Sequence, residues 1–144
     1  MLIKQLSVFI ENKPGRLAEV TSFISDAGIN IHALSVADTT DFGILRMIVD
    51  DPDKARSVMK SAGLTVKPTD VLAAGLEDKP GSLSEVLREL GKCGVSIEYM
   101  YAFTSRSSKH HAMVIIRLAN QADVLDRVMK SSIRFLEEDD IREL

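Results

Sequence analysis

The sequence predicts an α+β protein that contains two copies of one βαββαβ unit. The first observation is a repeat, since ENKPGRL at residues 11–17 returns as EDKPGSL at residues 77–83, 66 positions later. Between residues 11–31 and 77–97, 9 of 21 paired positions are identical. The second observation is that apolar residues recur every second position in some segments and every third or fourth in others. Two copies, each long enough for its own core, indicate a duplicated domain rather than a solenoid.

Each copy opens with a strand that a helix follows. The strand is predicted from alternating apolar residues, which are Leu6, Val8 and Ile10 in the first copy and Leu72, Ala74 and Leu76 in the second. The helix is predicted from apolar residues three or four positions apart, which are Leu17, Val20, Ile24 and Ala27 in the first copy and Leu83, Val86, Leu90 and Cys93 in the second. Gly28 and Gly94 then end the helices.

The rest of each copy is predicted as two strands, a helix and a short strand. The strand pairs are INIHALSVA with FGILRMIVD, and VSIEYMYAF with HAMVIIRLA. The second helix of the first copy begins at Asp51-Pro52, since Asp caps helices and Pro suits the first turn. Its apolar face is Ala55, Val58, Met59 and Ala62, and the matching face is Leu125, Val128 and Met129. The closing strands are predicted near Leu64–Lys67 and Arg134–Glu137.

The order βαββαβ is the ferredoxin-like arrangement, an antiparallel sheet with two helices on one face. The predicted domains are residues 1–70 and 71–144. Only Lys67-Pro68-Thr69-Asp70 is predicted to separate the copies, and the acidic tail EEDDIREL is predicted to be a solvated end.

Composition disfavours several classes of function. A net charge of −3, the absence of Trp and an aromatic content of 5% disfavour nucleic acid as a partner. One cysteine forbids an internal disulfide and is typical of a reducing compartment. The start of the chain acquires charge too early for a signal peptide, and no apolar run approaches the ~20 residues of a membrane helix. We therefore expect a cytoplasmic protein that binds neither nucleic acid nor membranes.

The two KPG segments predict a small-molecule site where the first strand of each copy turns into the first helix. Gly lets a ligand approach the backbone, and the N–H groups of Gly15–Leu17 and Gly81–Leu83 could bind a carboxylate or a phosphate. The side-chain oxygens of Asn12 and Asp78 could accept from an ammonium group. Donors beside acceptors suit a zwitterion, that is, an amino acid. The alternative interpretation is that Pro-Gly is only a good turn and helix start.

Both copies resemble ACT domains. The resemblance rests on a strand that leads into the motif [N/D]-x-P-G-x-L, followed by a helix that ends in the motif x-G-[I/V]-[N/S]-I. It covers roughly residues 2–70 and 71–144. The resemblance implies amino-acid sensing and two domains side by side in one eight-stranded antiparallel sheet with helices on one face. It also implies ligands at the seam between the domains. One site would combine Asn12, Gly15 and Leu17 with Val95, Ser96 and Ile97, and the other Asp78, Gly81 and Leu83 with Ile29, Asn30 and Ile31. Lys13, Arg16 and Ser82 belong to the same predicted ligand-binding set.

Other chemistry has little support in the sequence. His32 and His110-His111 could be read as a metal cluster, but structural zinc needs four ligands at recognisable spacing, so no metal and no cofactor are expected. Cys93 shares the helical position of Ala27 and is expected to pack. No serine lies in a Gly-x-Ser-x-Gly turn, so no catalytic residue is predicted.

Three classes of function stay open at this point. They are an amino-acid sensor that acts on another enzyme or regulator, a structural or protein-interaction module without a ligand, and a small enzyme of unknown reaction. The expected partners are a free amino acid, a second copy of the chain and an enzyme of amino-acid metabolism. A homodimer is predicted because Phe9, Leu34, Val36 and Val71 are placed on a sheet face opposite the core, where an apolar surface indicates an interface.

Overall fold

The protein consists of two compact units in a computed structural model that describes residues 2–38, 41–104 and 112–143. The first unit is Lys4–Asp70, and the second is Val71–Leu144 together with Met1–Ile3. The three N-terminal residues, assigned by sequence to the first domain, therefore group with the second unit. No helix in the described part of the chain is long and apolar enough to cross a membrane.

The first unit has the predicted βαββαβ order. Its elements are β1 (Ile3–Glu11), α1 (Arg16–Asp26), β2 (Ile31–Asp38), β3 (Phe42–Val49), α2 (Pro52–Ser61) and the first part of β4 (Thr65–Leu76). The strand order is β2-β3-β1-β4, and β3 runs antiparallel to both β1 and β2. An ion pair of 2.7 Å between Lys4 Nζ and Asp70 Oδ1 lies between β1 and β4.

The core of the first unit lies between the sheet and its two helices. The predicted strand residues Leu6, Val8 and Ile10 are buried there. The helices contribute Val20, Ile24, Ala55 and Met59. Two predicted members of the helical faces are exposed instead: Leu17 at the start of α1 is 38% exposed, and Ala62 is the C-cap of α2. Both lie at helix ends.

The second unit repeats this plan with a reduced last strand. It contains the remainder of β4, then α3 (Ser82–Lys92), β5 (Ile97–Thr104), β6 (Ala112–Leu118), α4 (Gln121–Met129) and α5 (Glu138–Arg142). The strand order is β4-β6-β5, antiparallel throughout. Its core includes Leu72, Ala74, Val86, Leu90, Val114, Ile116, Val124 and Val128. Cys93 packs against this core as predicted. Leu83, like Leu17, is 38% exposed.

Two predictions about the last part of the chain are confirmed only in part. The strand predicted near Arg134–Glu137 is a single bridge between Phe135 and Ala74. The acidic tail, predicted to be a solvated end, forms α5 with a capping box between Glu137 and Asp140, and its residues Glu137, Glu138 and Asp139 are exposed. Ile141 of this helix is buried. The negative charge is compatible with a helix because acidic residues in a first turn complement the helix dipole.

The predicted linker Lys67-Pro68-Thr69-Asp70 lies inside β4, a single strand of 12 residues. Proline is compatible with an extended backbone where its missing N–H is not needed, and it also favours extended geometry at the residue before it. Two predicted strands therefore join into one. The described residues form six strands, and the predicted eight-stranded sheet is not confirmed.

A β-bulge changes which side chains of β2 face the core. The register between β2 and β3 shifts between Ile31 and Ala33. As a result Leu34 pairs with Met47 and Val36 with Leu45, which are core residues of β3. Paired residues point to the same face, so the prediction that Leu34 and Val36 lie opposite the core is wrong. Both are exposed even so.

The sheet face opposite the core is not the open surface that the sequence predicts. Phe9 lies on it and is exposed, as predicted. Gln5 and Ser7, which share its parity along β1, are buried, and Gln5 Nε2 donates to Ser7 Oγ at 3.2 Å. Val71 is 0% exposed, so its predicted place on a solvent-facing surface is wrong.

The cap of α2 gives a prediction about stability. Asp51 Oδ1 accepts from the Lys54 N–H at 3.0 Å, and Pro52 follows at the first helical position. Asp51→Ala should lower the free energy of unfolding by about 1 kcal/mol, measured by urea denaturation, because the N–H loses its acceptor. Asp51→Asn keeps an acceptor and should stay close to wild type. Equal losses in both variants would contradict the capping role.

Candidate functional site

The β1–α1 loop of the first unit is a tight turn built on a left-handed glycine. Gly15 has φ 79° and is the N-cap of α1. The Lys13 N–H donates to Glu11 O at 2.9 Å, and the Arg16 N–H donates to Lys13 O at 3.2 Å. The helical pattern begins where the Glu19 N–H donates to Gly15 O at 3.0 Å. Residues without a glycine's freedom rarely adopt this backbone.

The β4–α3 loop of the second unit has the same geometry. Gly81 has φ 95° and caps α3. The Lys79 N–H donates to Glu77 O at 3.0 Å, the Ser82 N–H to Lys79 O at 3.3 Å, and the Glu85 N–H to Gly81 O at 3.0 Å. Each of these bonds has its counterpart 66 residues earlier. The repeated sequence therefore encodes a repeated loop conformation.

The recurring glutamate and lysine form an ion pair in each loop. Lys13 Nζ lies 2.6 Å from Glu11 Oε2, and Lys79 Nζ lies 2.5 Å from Glu77 Oε2. All four side chains are exposed, so solvent screens these pairs and they add little to stability. Their recurrence is explained by this local pairing.

The ion pairs shift the pKa of one partner in each loop. The hydrogen bond from Lys13 lowers the pKa of Glu11 below its ordinary value of 4.5. The stabilisation from Glu11 is therefore present above pH 4.5 and is lost as the pH falls through the lowered pKa. The hydrogen bond to Glu77 raises the pKa of Lys79 above 10.5, and its contribution is lost as the pH rises through that raised pKa.

The predicted amide donors are only partly available. The N–H groups of Arg16 and Ser82 already donate to the lysine carbonyls, so they cannot also serve a ligand fully. Leu17 and Leu83 stand at the second position of their helices, where an amide has no acceptor within the helix. Their side chains are the equally exposed leucines described above.

Asn12 and Asp78 lie in the same loops with exposed side chains. The backbone N–H of Asn12 donates to Asp41 O at 3.0 Å, which fixes this residue beside the start of β3. The side chain is left to face solvent. Each loop therefore presents an exposed side chain with an oxygen atom before a helix N-terminus, and its predicted contact with an ammonium group stays a prediction.

The other predicted segments connect the first helix of each unit to its next strand. Asn30 is exposed, and its N–H donates to Asp50 Oδ1 at 3.2 Å, while the Asp50 N–H donates to Asn30 O at 3.2 Å. Ile29 is buried, and Asn30 and Ile31 line an open groove of about 570 Å³ along α1. In the second unit Ser96 O accepts from the Ala119 N–H at 2.9 Å, and Val95 and Ile97 are half-buried.

Within the first unit the β1–α1 loop, which contains Asn12, and the segment before β2, which contains Asn30, lie far apart. β1 and β2 are both antiparallel to β3, so the loop after β1 and the loop before β2 lie at opposite ends of the unit. The 11 residues of α1 between them correspond to about 16 Å of helix. A site that combines Asn12 with Ser96, or Asp78 with Asn30, stays a prediction.

The sequence reasoning missed a cleft of about 380 Å³ inside the second unit. It lies between the end of β4, the first turns of α3 and the segment before the Phe135 bridge. Glu85, Glu89 and Arg134 line it, together with Ser82. The sequence does carry one signal of this cleft: Glu19 recurs as Glu85, while Arg16 is replaced by Ser82.

No metal site is found among the described residues, which contain no group of three or more His, Cys, Asp or Glu that could hold an ion. His32 lies half-buried in β2. His110 and His111 lie outside the described residues.

The fold and the paired loops define a tandem ferredoxin-like protein with a glycine-capped helix in each half. The family described as ACT domain pair matches residues 1–144, and the chain belongs to that family. ACT domains are ligand-binding regulatory modules.

Solved structures are similar over most of the chain. Protein BT0572 from Bacteroides thetaiotaomicron is 42% identical, with a TM-score of 0.88, over 100% of this chain and 98% of that chain. The ligand-free regulatory subunit of aspartate kinase from Thermus thermophilus is 17% identical, with a TM-score of 0.60, over 90% and 91%. The second likeness shows the fold alone. No curated protein matches the chain.

The glycine turn gives a prediction with a control in the same helix. A Cβ added at Gly81 or at Gly91 would meet no atom within 4 Å, but only Gly81 has positive φ. Gly81→Ala should destabilise the protein by about 1–2 kcal/mol because of its left-handed backbone. Gly91→Ala, within α3, should stabilise it by about 0.5–1 kcal/mol. Thermal unfolding compares the two, and shifts of the same sign and size would contradict this account.

Proposed function

We propose that the protein is a regulatory sensor that binds a free amino acid through its two glycine-capped loops. The observation that carries this proposal is the duplicated loop, in which an exposed residue with a side-chain oxygen precedes a helix whose second amide has no acceptor within the helix. In the first loop the pair is Leu17 N–H and Asn12, and in the second it is Leu83 N–H and Asp78. A helix N-terminus favours a carboxylate, and an amide or carboxylate oxygen favours an ammonium group.

The two loops should differ in affinity. Asp78 carries a negative charge where Asn12 carries a neutral amide, so an ammonium should prefer the second loop, and an acidic ligand should prefer the first. Asn30 and Ser96 differ as well in reach and in the number of donors. A binding isotherm with unequal sites would support this part of the proposal.

The class of module supports a further proposal, that the protein regulates a separate enzyme. ACT domains regulate, and one protein with the same fold is named as a regulatory subunit of aspartate kinase. We propose an enzyme of amino-acid metabolism as the partner, and no catalytic role for this chain. A cytoplasmic location is proposed from the single cysteine.

Removing one side-chain acceptor should weaken binding. Asn12→Ala and Asp78→Ala should each raise the Kd of the amino acid about tenfold or more, because a charge-assisted hydrogen bond is lost. Isothermal titration against the twenty amino acids identifies the ligand first and then measures both variants. Asp53→Ala and Asp126→Ala remove exposed carboxylates on α2 and α4 and should leave the affinity unchanged.

Two results would contradict the proposal in different ways. Unchanged affinity in both loop variants would move the ligand away from the loops. A flat titration across all twenty amino acids would instead favour an interaction module without this ligand.

We also propose that the protein forms a homodimer, through the edge strand β2. β2 lies at the end of the strand order, and Leu34 and Val36 on it are 48% and 39% exposed. An edge strand with exposed apolar side chains can pair with a second copy, and edge lysines oppose such pairing. The sheet face opposite the core gives weaker support than the sequence predicts, because Val71 on it is buried.

A lysine in β2 should therefore dissociate the dimer. Val36→Lys should shift the sedimenting species from a dimer toward the 15.9 kDa monomer at micromolar concentration. Ser57→Lys, which adds the same charge on the exposed side of α2, should not. A wild-type chain that sediments as a monomer with and without ligand would reject the homodimer.

A further inference from the structure

The sheet face opposite the core of the first unit carries an exposed apolar patch. Ile44 of β3 pairs with Phe9 of β1 and with Ala37 of β2, so the three side chains form one row across three strands. Phe42 lies on the same face, two residues before Ile44. Phe42 is 60% exposed and Phe9 46%, Ala37 is exposed as well, and Ile44 is half-buried. These four residues are called the face patch below.

The corresponding row of the second unit is covered. Its members are Gly75, Met113 and Phe103, which pair across β4, β6 and β5 in the same way. Met113 is 0% exposed, and Phe103 is half-buried. Each unit therefore places one phenylalanine in this row, but only the first unit leaves the row open. The repeated fold does not by itself require the exposure.

The end of the face patch next to the β1–α1 loop is acidic. Glu11 lies two residues beyond Phe9 on the same face, and Asp41 immediately precedes Phe42. Both acidic side chains are exposed. Lys13 pairs with Glu11 at 2.6 Å, so this group of three charges keeps a net negative charge.

The other end of the face patch is basic. Ser7 pairs with Arg46 of β3 on this face. On the other side of β1, Lys67 of β4 is exposed and points to the same face, because Val66 before it belongs to the core. The antiparallel sheet brings Lys67 level with Ser7. Along β1 the basic row at Ser7 and the acidic end at Glu11 are about 13 Å apart.

We propose that the face patch packs on the same face of a second copy, sheet against sheet, about a two-fold axis that lies in the interface and crosses the strands at Phe9. Rotation about this axis reverses the strand direction, so Glu11 of each copy lies beside Lys67 of the other. Phe42 of each copy lies over Arg46 of the other, where an aromatic face attracts a guanidinium group. A second copy is the occupant because the charges at the two ends complement each other only in this reversed arrangement.

The size of the face patch suits the apolar centre of such an interface. A phenylalanine side chain buries about 200 Å² when it is fully covered, so the exposed parts of Phe9 and Phe42 amount to about one such side chain in each copy. Two copies would remove roughly 400 Å² of phenylalanine surface from water, against a total of about 1,200 Å² at which specific interfaces begin. Ala37, Ile44 and the charged side chains at both ends contribute further area.

This contact differs from the β2 edge proposed above. Pairing through β2 extends the sheet in its own plane, whereas the face patch stacks two sheets about 10 Å apart. The inference shares with the proposed function only the second copy as a partner, and it does not depend on an amino-acid ligand. A chain that uses both contacts would form a tetramer with two kinds of isologous interface.

Sedimentation at micromolar concentration tests the apolar centre of the contact. Phe42→Lys should raise the dissociation constant of the face-to-face contact tenfold or more, because it removes apolar area and places a cation over Arg46 of the other copy. Ser57→Lys, which adds the same charge on the exposed side of α2, is the matched control. Because Phe42 is 60% exposed, the far-ultraviolet circular dichroism of the variant should match that of wild type.

A pair of charge reversals tests the two-fold geometry. Glu11→Lys and Lys67→Glu should each weaken self-association about tenfold, and the double variant should restore it, since the ion pair is reversed rather than removed. Within one chain the two residues are too far apart for an ion pair, so restoration reports a contact between copies. Lys60→Glu, on the exposed surface of α2, is the control for Lys67→Glu and should sediment as wild type does.

The outcomes separate the face patch from the β2 edge. Dissociation by Val36→Lys alone, with wild-type sedimentation of Phe42→Lys and Lys67→Glu, would overturn the face patch and leave the β2 edge standing. The reverse pattern would support the face patch and reject the edge. Two weakened single charge variants without recovery in the double variant would overturn the two-fold packing, and a monomeric wild-type chain would overturn both contacts.

Discussion

The turn from the first strand into the first helix of each unit depends on one backbone conformation. A left-handed residue at Gly15 and at Gly81 reverses the chain so that the helix can pack its apolar stripe on the sheet. In the same turn the first helical amide donates to a lysine carbonyl, whereas the second, at Leu17 and Leu83, has no acceptor within the helix. The geometry that folds each unit thus creates the polar feature that a ligand could use.

The duplication keeps this backbone and changes its surroundings. The hydrogen bonds of the two loops agree to within a few tenths of an ångström, and Leu17 and Leu83 have the same exposure. Two of the side chains that differ bear on chemistry. Asp78 stands where the first copy has Asn12, and Ser82 stands where it has Arg16. An arginine that satisfies its own glutamate in one copy is absent in the other. The same fold therefore carries an arginine–glutamate ion pair in the first unit and lacks that arginine in the second.

The sequence predicted what depends on local patterns. Alternation placed β1, helical spacing placed α1 and α3, and Asp51-Pro52 placed the start of α2, since each signal lies within a few residues. It did not predict that Lys67–Asp70 continues a strand, because an extended segment with a proline looks the same in a linker. It also missed the bulge after Ile31, which reverses the facing of Leu34 and Val36, because only pairing with β3 defines that register.

For the candidate sites as well, the sequence predicted residues that lie close together in the chain and missed residues that only the fold brings together. The KPG loops were found because their residues are contiguous, whereas the cleft joins Ser82 and Glu85 to Arg134, about fifty residues later in the chain. The repeated Glu and Lys of the two loops form ion pairs with each other, so the recurrence of these two residues does not by itself indicate a ligand. What recurs in both copies serves the turn that both copies need. The two copies differ in charge at positions 12 and 78 and at positions 16 and 82, and it is at these positions that the two proposed loop sites would differ in the ligand they favour.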